Sequence, residues 1–172
     1  MNKADRLLTR RRTLLMAAGI MVLAGCQTVP RPPFSTAQRE ALVRLGFKER
    51  DGNYLLGLNN RVLFGFDSAV IEPANQEMLH ELGRALASVG IGSAAVEGHA
   101  SAEGNAQHNL DLSGRRAEAV RDALTVGGLV PDRMRVRAMG ALDPIASNDT
   151  EDGRRENRRV VIIVTQADAL GL

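Results

Sequence analysis

Ten apolar or small residues, Leu14 to Leu23, run to within three positions of the only cysteine in the chain, Cys26. The run is too short for a comfortable membrane-crossing helix, which takes about 20 residues. It follows Arg10-Arg11-Arg12, so it has the layout of a secretory leader with a positive start. A lone thiol has no internal disulfide partner. Whatever follows the leader must therefore hold together by burying apolar surface. At 172 residues and 44% hydrophobic the chain has material for one such core plus attachments.

The leader ends in Leu23-Ala24-Gly25-Cys26, which resembles a bacterial lipobox. Small residues let a peptidase reach the bond, and the thiol is the nucleophile that takes up diacylglycerol. The expectation is lipidation at Cys26, with acyl chains holding the protein to a membrane. Gln27 stands where enteric inner-membrane lipoproteins carry Asp, so the expected location is the outer membrane, periplasmic face. Arg11-Arg12-Thr13-Leu14-Leu15 resembles a twin-arginine signal, and an ordinary positive leader reads the same way. Removing residues 1–25 takes away five positive charges and one negative and moves the net charge from +2 to about −2. No basic tract remains for nucleic acid. Aromatics are only 3% of the chain and Trp is absent, so a base-stacking surface is excluded as well.

After Cys26, Pro30, Pro32 and Pro33 make residues 26–34 a stiff extended tether. At about 3.1 Å per residue it reaches about 28 Å at most. Ser35-Thr36-Ala37-Gln38 reads as a capping box opening a short helix that ends at Gly46. That helix either packs on its own domain or serves as a partner-binding arm. Asp51-Gly52-Asn53 marks a turn, and Tyr54–Leu58 with Arg61–Phe66 reads as a hairpin. Pro73 starts a helix carrying Leu79, Leu82 and Leu86 at helical spacing. Ser93–Val96 is a strand leading into Glu97-Gly98-His99. Ser113 is placed to cap a helix carrying Val120 and Leu124. Arg135–Met139 and Arg159–Thr165 are strands, the latter with Val160 and Ile162 at its centre. Residues 141–156 read as mostly loop, with room for a helical turn. Those seven Leu, Val and Ile positions should share one core. Strands alternating with helices in βαβαβ order predict an α+β fold, a two-layer sandwich with the helices on one face of the sheet.

Several segments then match one family in order. Val62-Leu63-Phe64-Gly65-Phe66-Asp67-Ser68 with Ile71 and Pro73, Val96-Glu97-Gly98-His99, Asn109 with Leu112-Ser113 and Arg116-Ala117, and Gly153-Arg154 with Asn157-Arg158-Arg159-Val160 resemble OmpA-like, peptidoglycan-associated domains. The resemblance implies a mixed sheet over residues 59–168, preceded by a helix and hairpin strand over residues 35–58. It also implies a ligand, the diaminopimelate-containing stem peptide of peptidoglycan, with a site drawn from Ser101, Glu103, Asn109, Arg116, Arg154 and Asn157. Such a peptide offers carboxylates and an ammonium, so its pocket needs an Arg and a helix start for the former and a carboxylate for the latter. Arg116, in the first turn of the helix expected at Ser113, is the Arg of the pattern; otherwise it is a surface Arg paired with Asp111 or Glu118. The family's ammonium-binding Asp is Ser101 here. Exchanging a charge-assisted bond for a neutral one costs about 1–2 kcal/mol, roughly tenfold in affinity. Glu103 is the nearest substitute.

The opening helix, the Gly46-Phe47 corner and Val62-Leu63-Phe64-Gly65 also resemble the OmpA-like lipoproteins of the Yfi signalling type. These capture a small periplasmic repressor and so free a membrane-bound diguanylate cyclase, which implies a periplasmic protein partner. Catalysis has no signature: Gly-x-Ser-x-Gly is absent, and His99 reads as a structural residue at a strand end. His80, His99 and His108 have no metal-ligand spacing, and no cofactor motif is present. The expected role is a non-enzymatic tether between outer membrane and wall, with signalling adaptor as the alternative. Since Cys26 is the only acylation site, Cys26→Ser should yield soluble or uncleaved protein on cell fractionation. Retention in outer membranes after high-salt washing would contradict the anchor.

Overall fold

The computed structural model describes residues 34–65 and 67–170. The leader, Cys26 and the proline tether lie outside them, as does Phe66. The first element, helix α1 (Thr36–Arg44), carries the expected capping box: Ser35 accepts from the Gln38 amide, and the Gln38 side chain accepts from the Ser35 amide. α1 packs on its own domain. Leu42 is fully buried, and the Gln38 amide donates to the carbonyls of Val89 and Ala169.

The hairpin lies one element earlier than expected. Strands β1 (Lys48–Arg50) and β2 (Asn53–Asn59) pair antiparallel across Asp51-Gly52. Residues expected as its second strand instead form a helical turn, α2 (Asn60–Leu63), followed by an isolated bridge from Phe64 to Ile71. The Asn59 side chain causes the turn by accepting from the Arg61 amide, an Asn habit that competes with strand pairing.

Helix α3 (Pro73–Ser88) follows, then β3 (Ala95–His99), α4 (Ala106–Val126), β4 (Arg135–Gly140), α5 (Glu151–Asn157), β5 (Arg159–Val164) and a terminal turn α6 (Gln166–Ala169). The sheet order is β1-β2-β5-β3-β4. β5 runs antiparallel to both β2 and β3, while β3 and β4 are parallel and joined through α4. Val160, Ile162 and Val164, on one face of β5, are fully buried, and Val161 on the other face is buried as well. Val160, Ile162 and Val164 share one cluster with Leu79, Leu82, Leu86, Val120 and Leu124, so all seven expected core residues lie in it. The fold is the expected α+β arrangement of a mixed sheet with helices.

α4 begins eight residues before the expected start, and this matters for the site. Its cap is Asn105, whose side chain accepts from the His108 amide. Ser113 lies inside the helix. Its hydroxyl donates to the Leu110 carbonyl and accepts from the Gly140 amide, and those bonds make a buried mid-helix Ser tolerable.

At the far end, α6 closes the domain through Asp168. Its carboxylate takes both terminal nitrogens of Arg135 at 2.9 Å, the Ser93 hydroxyl at 2.6 Å and the Thr165 amide and hydroxyl. Burial alone would push the Asp168 carboxyl up, but these donors outweigh it and hold it below the ordinary carboxylate value. A depressed folded-state pKa adds stability above the unfolded value of about 4, and that stability is lost as pH falls further. Asp168→Asn should therefore cost about 1.5–3 kcal/mol at neutral pH, the range for hydrogen bonds to a charged group. Its urea midpoint should also fall less than the native one between pH 5 and pH 3. Parallel acid profiles would rule out this role for Asp168.

Candidate ligand-binding pocket

β2 and β3 end at Asn59 and His99, and β5 starts at Arg159 opposite Asn59. The segments following β2 and β3 and the one preceding β5 thus meet at one end of the sheet. Between them and the first turns of α4 is a cavity of about 950 Å³, whose walls include Asn60, Phe64, Asp67, Glu72, Ser101, Glu103, His108, Asn109, Arg116, Glu151 and Arg158.

Arg116 enters from α4. Ten residues into the helix, it is nearly three turns from the start, at about 3.6 residues per turn, not in the first turn. Its side chain is 7% exposed. The guanidinium carbon sits 5.3 Å from the Phe64 ring centroid, and Nε donates to the Ser68 carbonyl at 2.8 Å. These contacts aim a planar fork that can bind a carboxylate with two parallel bonds. Among the described residues no carboxylate lies within ion-pair distance of it, neither Asp111 nor Glu118 included. Burial pushes its pKa below the usual arginine value, an effect opposed by Asp67 and reinforced by Arg158 and Arg115. A buried cation without a partner carries a desolvation cost that an anionic ligand would relieve.

Ser101, 5% exposed, faces this space from the loop after β3. Its hydroxyl accepts from Arg158 Nη1 at 3.4 Å. Glu103 is at the wall but already paired, 3.4 Å from Arg154 Nε and 4.0 Å from Arg158 Nη1. Asn109 is a strut: its amide donates to the carbonyls of Ser101 and Glu103 and fixes the loop that presents them. Asn60 is buried beneath, donating to the His99 carbonyl at 3.3 Å. His99 is a closing residue, its ring against the Leu142 carbonyl, and burial lowers its pKa.

Two of the residues implied by the family pattern stand behind the cavity. Asn157 is fully buried; its oxygen accepts from the amides of Ile145 and Ala146, and its nitrogen donates to Ala146 and Asn148. Arg154 donates to the Asn148 carbonyl and bridges to Glu151 and Glu103. Both shape the loop before β5. The structure thus groups Ser101, Glu103, Asn109 and Arg116 at the cavity and leaves Arg154 and Asn157 as its supports. Arg158, Asn60 and the Asp67–His108 pair at 2.8 Å were missed from sequence. Arg158 lay within a matched segment, but only the fold brings it opposite Ser101.

The chain is thus an α+β domain, a mixed sheet with helices and a charged pocket at one end of the sheet. The chain belongs to the OmpA family, whose model matches residues 63–158. It is 37% identical to the outer-membrane lipoprotein YfiB of Pseudomonas aeruginosa, over 91% of this chain and 94% of that protein. It is 36% identical to a lipoprotein YfiB of Escherichia coli, over 84% of this chain and 91% of that one. Among solved structures it resembles the peptidoglycan-associated lipoprotein of Burkholderia pseudomallei, 30% identical with a TM-score of 0.52, covering 59% of this chain and 86% of that chain.

The pocket depends on how closely α4 sits on β3. A Cβ at Gly98 would overlap the Ser113 carbonyl. Gly98→Ala should push the helix off the strand and cost about 1–3 kcal/mol or more. The same change should weaken any ligand held jointly by Ser101 and Arg116. Thermal unfolding unchanged within about 0.5 kcal/mol would refute this packing.

Proposed function

We propose that this chain is a lipoprotein of the outer membrane, anchored on its periplasmic face through Cys26, that binds peptidoglycan non-covalently and couples the membrane to the wall. The observation that carries this reading is Arg116: a buried guanidinium, aimed by Phe64 and Ser68 at the cavity, with no carboxylate within ion-pair distance among the described residues. Membership of the OmpA family and likeness to a peptidoglycan-associated lipoprotein support the wall as the source of the missing anion. The names of its YfiB relatives support a lipid-anchored location. No described helix is long and apolar enough to cross a membrane, which fits anchoring by acyl chains. In this reading Arg116 holds a stem-peptide carboxylate and Ser101 contributes a neutral hydrogen bond. Asn109, Arg154 and Asn157 keep the walls in place, and Glu103 is an ion-paired rim. The work in this reading is binding: of the pocket carboxylates, Glu103 and Glu151 are ion-paired with Arg154 and Arg158, Asp67 is bonded to His108, and Glu72 is exposed.

A second reading has its own support. Similarity to the YfiB lipoproteins runs over 84–91% of the chain, well beyond residues 63–158, and so takes in α1, β1 and β2. An adaptor that sequesters a periplasmic repressor through residues 35–58 would account for that extra reach. None of the described residues 35–58 lines the cavity, so the two activities are compatible. Co-sedimentation with purified sacculi tests the first. The native domain should pellet, Arg116→Ala should lose about tenfold or more in affinity, and Arg116→Lys should fall between them because it keeps charge but not the fork. Equal pelleting by all three, with unchanged unfolding midpoints, would reject the Arg116 pocket.

A further inference from the structure

We infer that the pocket selects a peptide in which a free carboxylate lies beside an amide N–H rather than beside a free ammonium. This rests on the wall-binding reading and names the chemical form of its ligand. The wall contains that form wherever the side-chain amine of diaminopimelate has been acylated by a neighbouring stem peptide. The inferred ligand is therefore the cross-linked, amide-bearing peptide.

The charges around Ser101 carry the argument. An ammonium needs a carboxylate to offset the water it gives up. At Ser101 it would meet a hydroxyl that already faces the Arg158 guanidinium at 3.4 Å. The carboxylates nearest in the fold are committed. Glu151 is held by Arg158 at 2.6 Å and Arg154 at 3.0 Å, and Glu103 lies against the same two arginines. Asp67 is bonded to His108. Glu72 has no ion pair among the described residues, but it is exposed and stands by Gly65 on the rim.

What the pocket does offer is neutral acceptors. Asn60 lines the cavity, is 3% exposed and spends its amide nitrogen on His99. That donation fixes which end of the side chain is oxygen. Its Oδ1 is buried with no hydrogen-bond partner, an unpaired acceptor in a place where pairing has value. Asn60 is tied to the backbone two residues before Ser101, so the two acceptors belong to one corner. An amide N–H satisfies such a corner without bringing a charge toward Arg158. Arg116 then receives the adjacent carboxylate, and ligand and pocket match in charge.

Two synthetic tripeptides test this, alanyl-γ-glutamyl-diaminopimelate with its side-chain amine free, and the same peptide with that amine acetylated. Calorimetric titration of the native domain should give tighter binding of the acetylated form by about fivefold or more. Ser101→Asp should reverse the order, because a carboxylate there favours the ammonium. Glu72→Gln should leave the native order unchanged. Binding of both peptides with the free amine equal or tighter overturns the inference and leaves the wall reading standing. A native preference for the free amine that turns to the acetylated peptide in Glu72→Gln would also overturn it, by placing an ammonium contact on the rim. Failure of both peptides to bind overturns the wall reading and this inference together.

Discussion

The backbone of α4 lies against β3 at Gly98 with no side chain between them, and the pocket is a consequence of that contact. Only a residue without a Cβ lets the helix come so near. Ser113, at the point of contact, spends its hydroxyl tying α4 to the end of β4 at Gly140. With the helix fixed in distance and rotation, Arg116 falls under Phe64 and reaches the Ser68 carbonyl. Asn109, earlier on the same helix, falls where it can hold the loop carrying Ser101 and Glu103. One close approach therefore sets the positions of residues from three segments.

Much of this could be read from the sequence, and the misses have physical causes. α3, β3, β4 and β5 followed from apolar spacing and from Pro73, since core-facing residues in long elements repeat reliably. The ordered motifs gave the family because they recur together. Val62-Leu63-Phe64 was misread as strand because two of the three are buried, and burial in a helical turn looks like burial in a strand over so short a stretch. Ser113 was misread as a cap because the rule for caps cannot see Gly140, twenty-seven residues away. α6 was not anticipated, although Thr165 and Asp168 form a capping box, because only four helical residues follow the cap. Within the site, Ser101 and Arg116 were legible as a departure and a match. The placement of Arg158 against Ser101 was not, because it depends on β5 running between β2 and β3.

The electrostatics of the pocket follow from that same topology. β5 starts beside the ends of β2 and β3, so Arg154 and Arg158, just before it, meet Glu103 from the loop after β3 and Glu151 from α5. The cluster neutralises itself across elements. Arg116, approaching from the other side, makes no ion pair among the described residues; Asp67, the acidic residue that acts on it, is bonded to His108. A ligand entering this space meets a buried guanidinium without an ion pair on one wall and a charge-balanced surface on the other.

The central claim is that the ligand occupies this pocket through Arg116. The most direct measurement is a map of amide and guanidinium NMR shifts on the isotope-labelled domain as soluble wall peptides are added. The account predicts changes concentrated at residues 60–65 and 100–109 and at Arg116 Nε, with α1, β1 and α6 unmoved. Shifts confined to α1 and the β1–β2 hairpin, with Arg116 Nε silent, would contradict it.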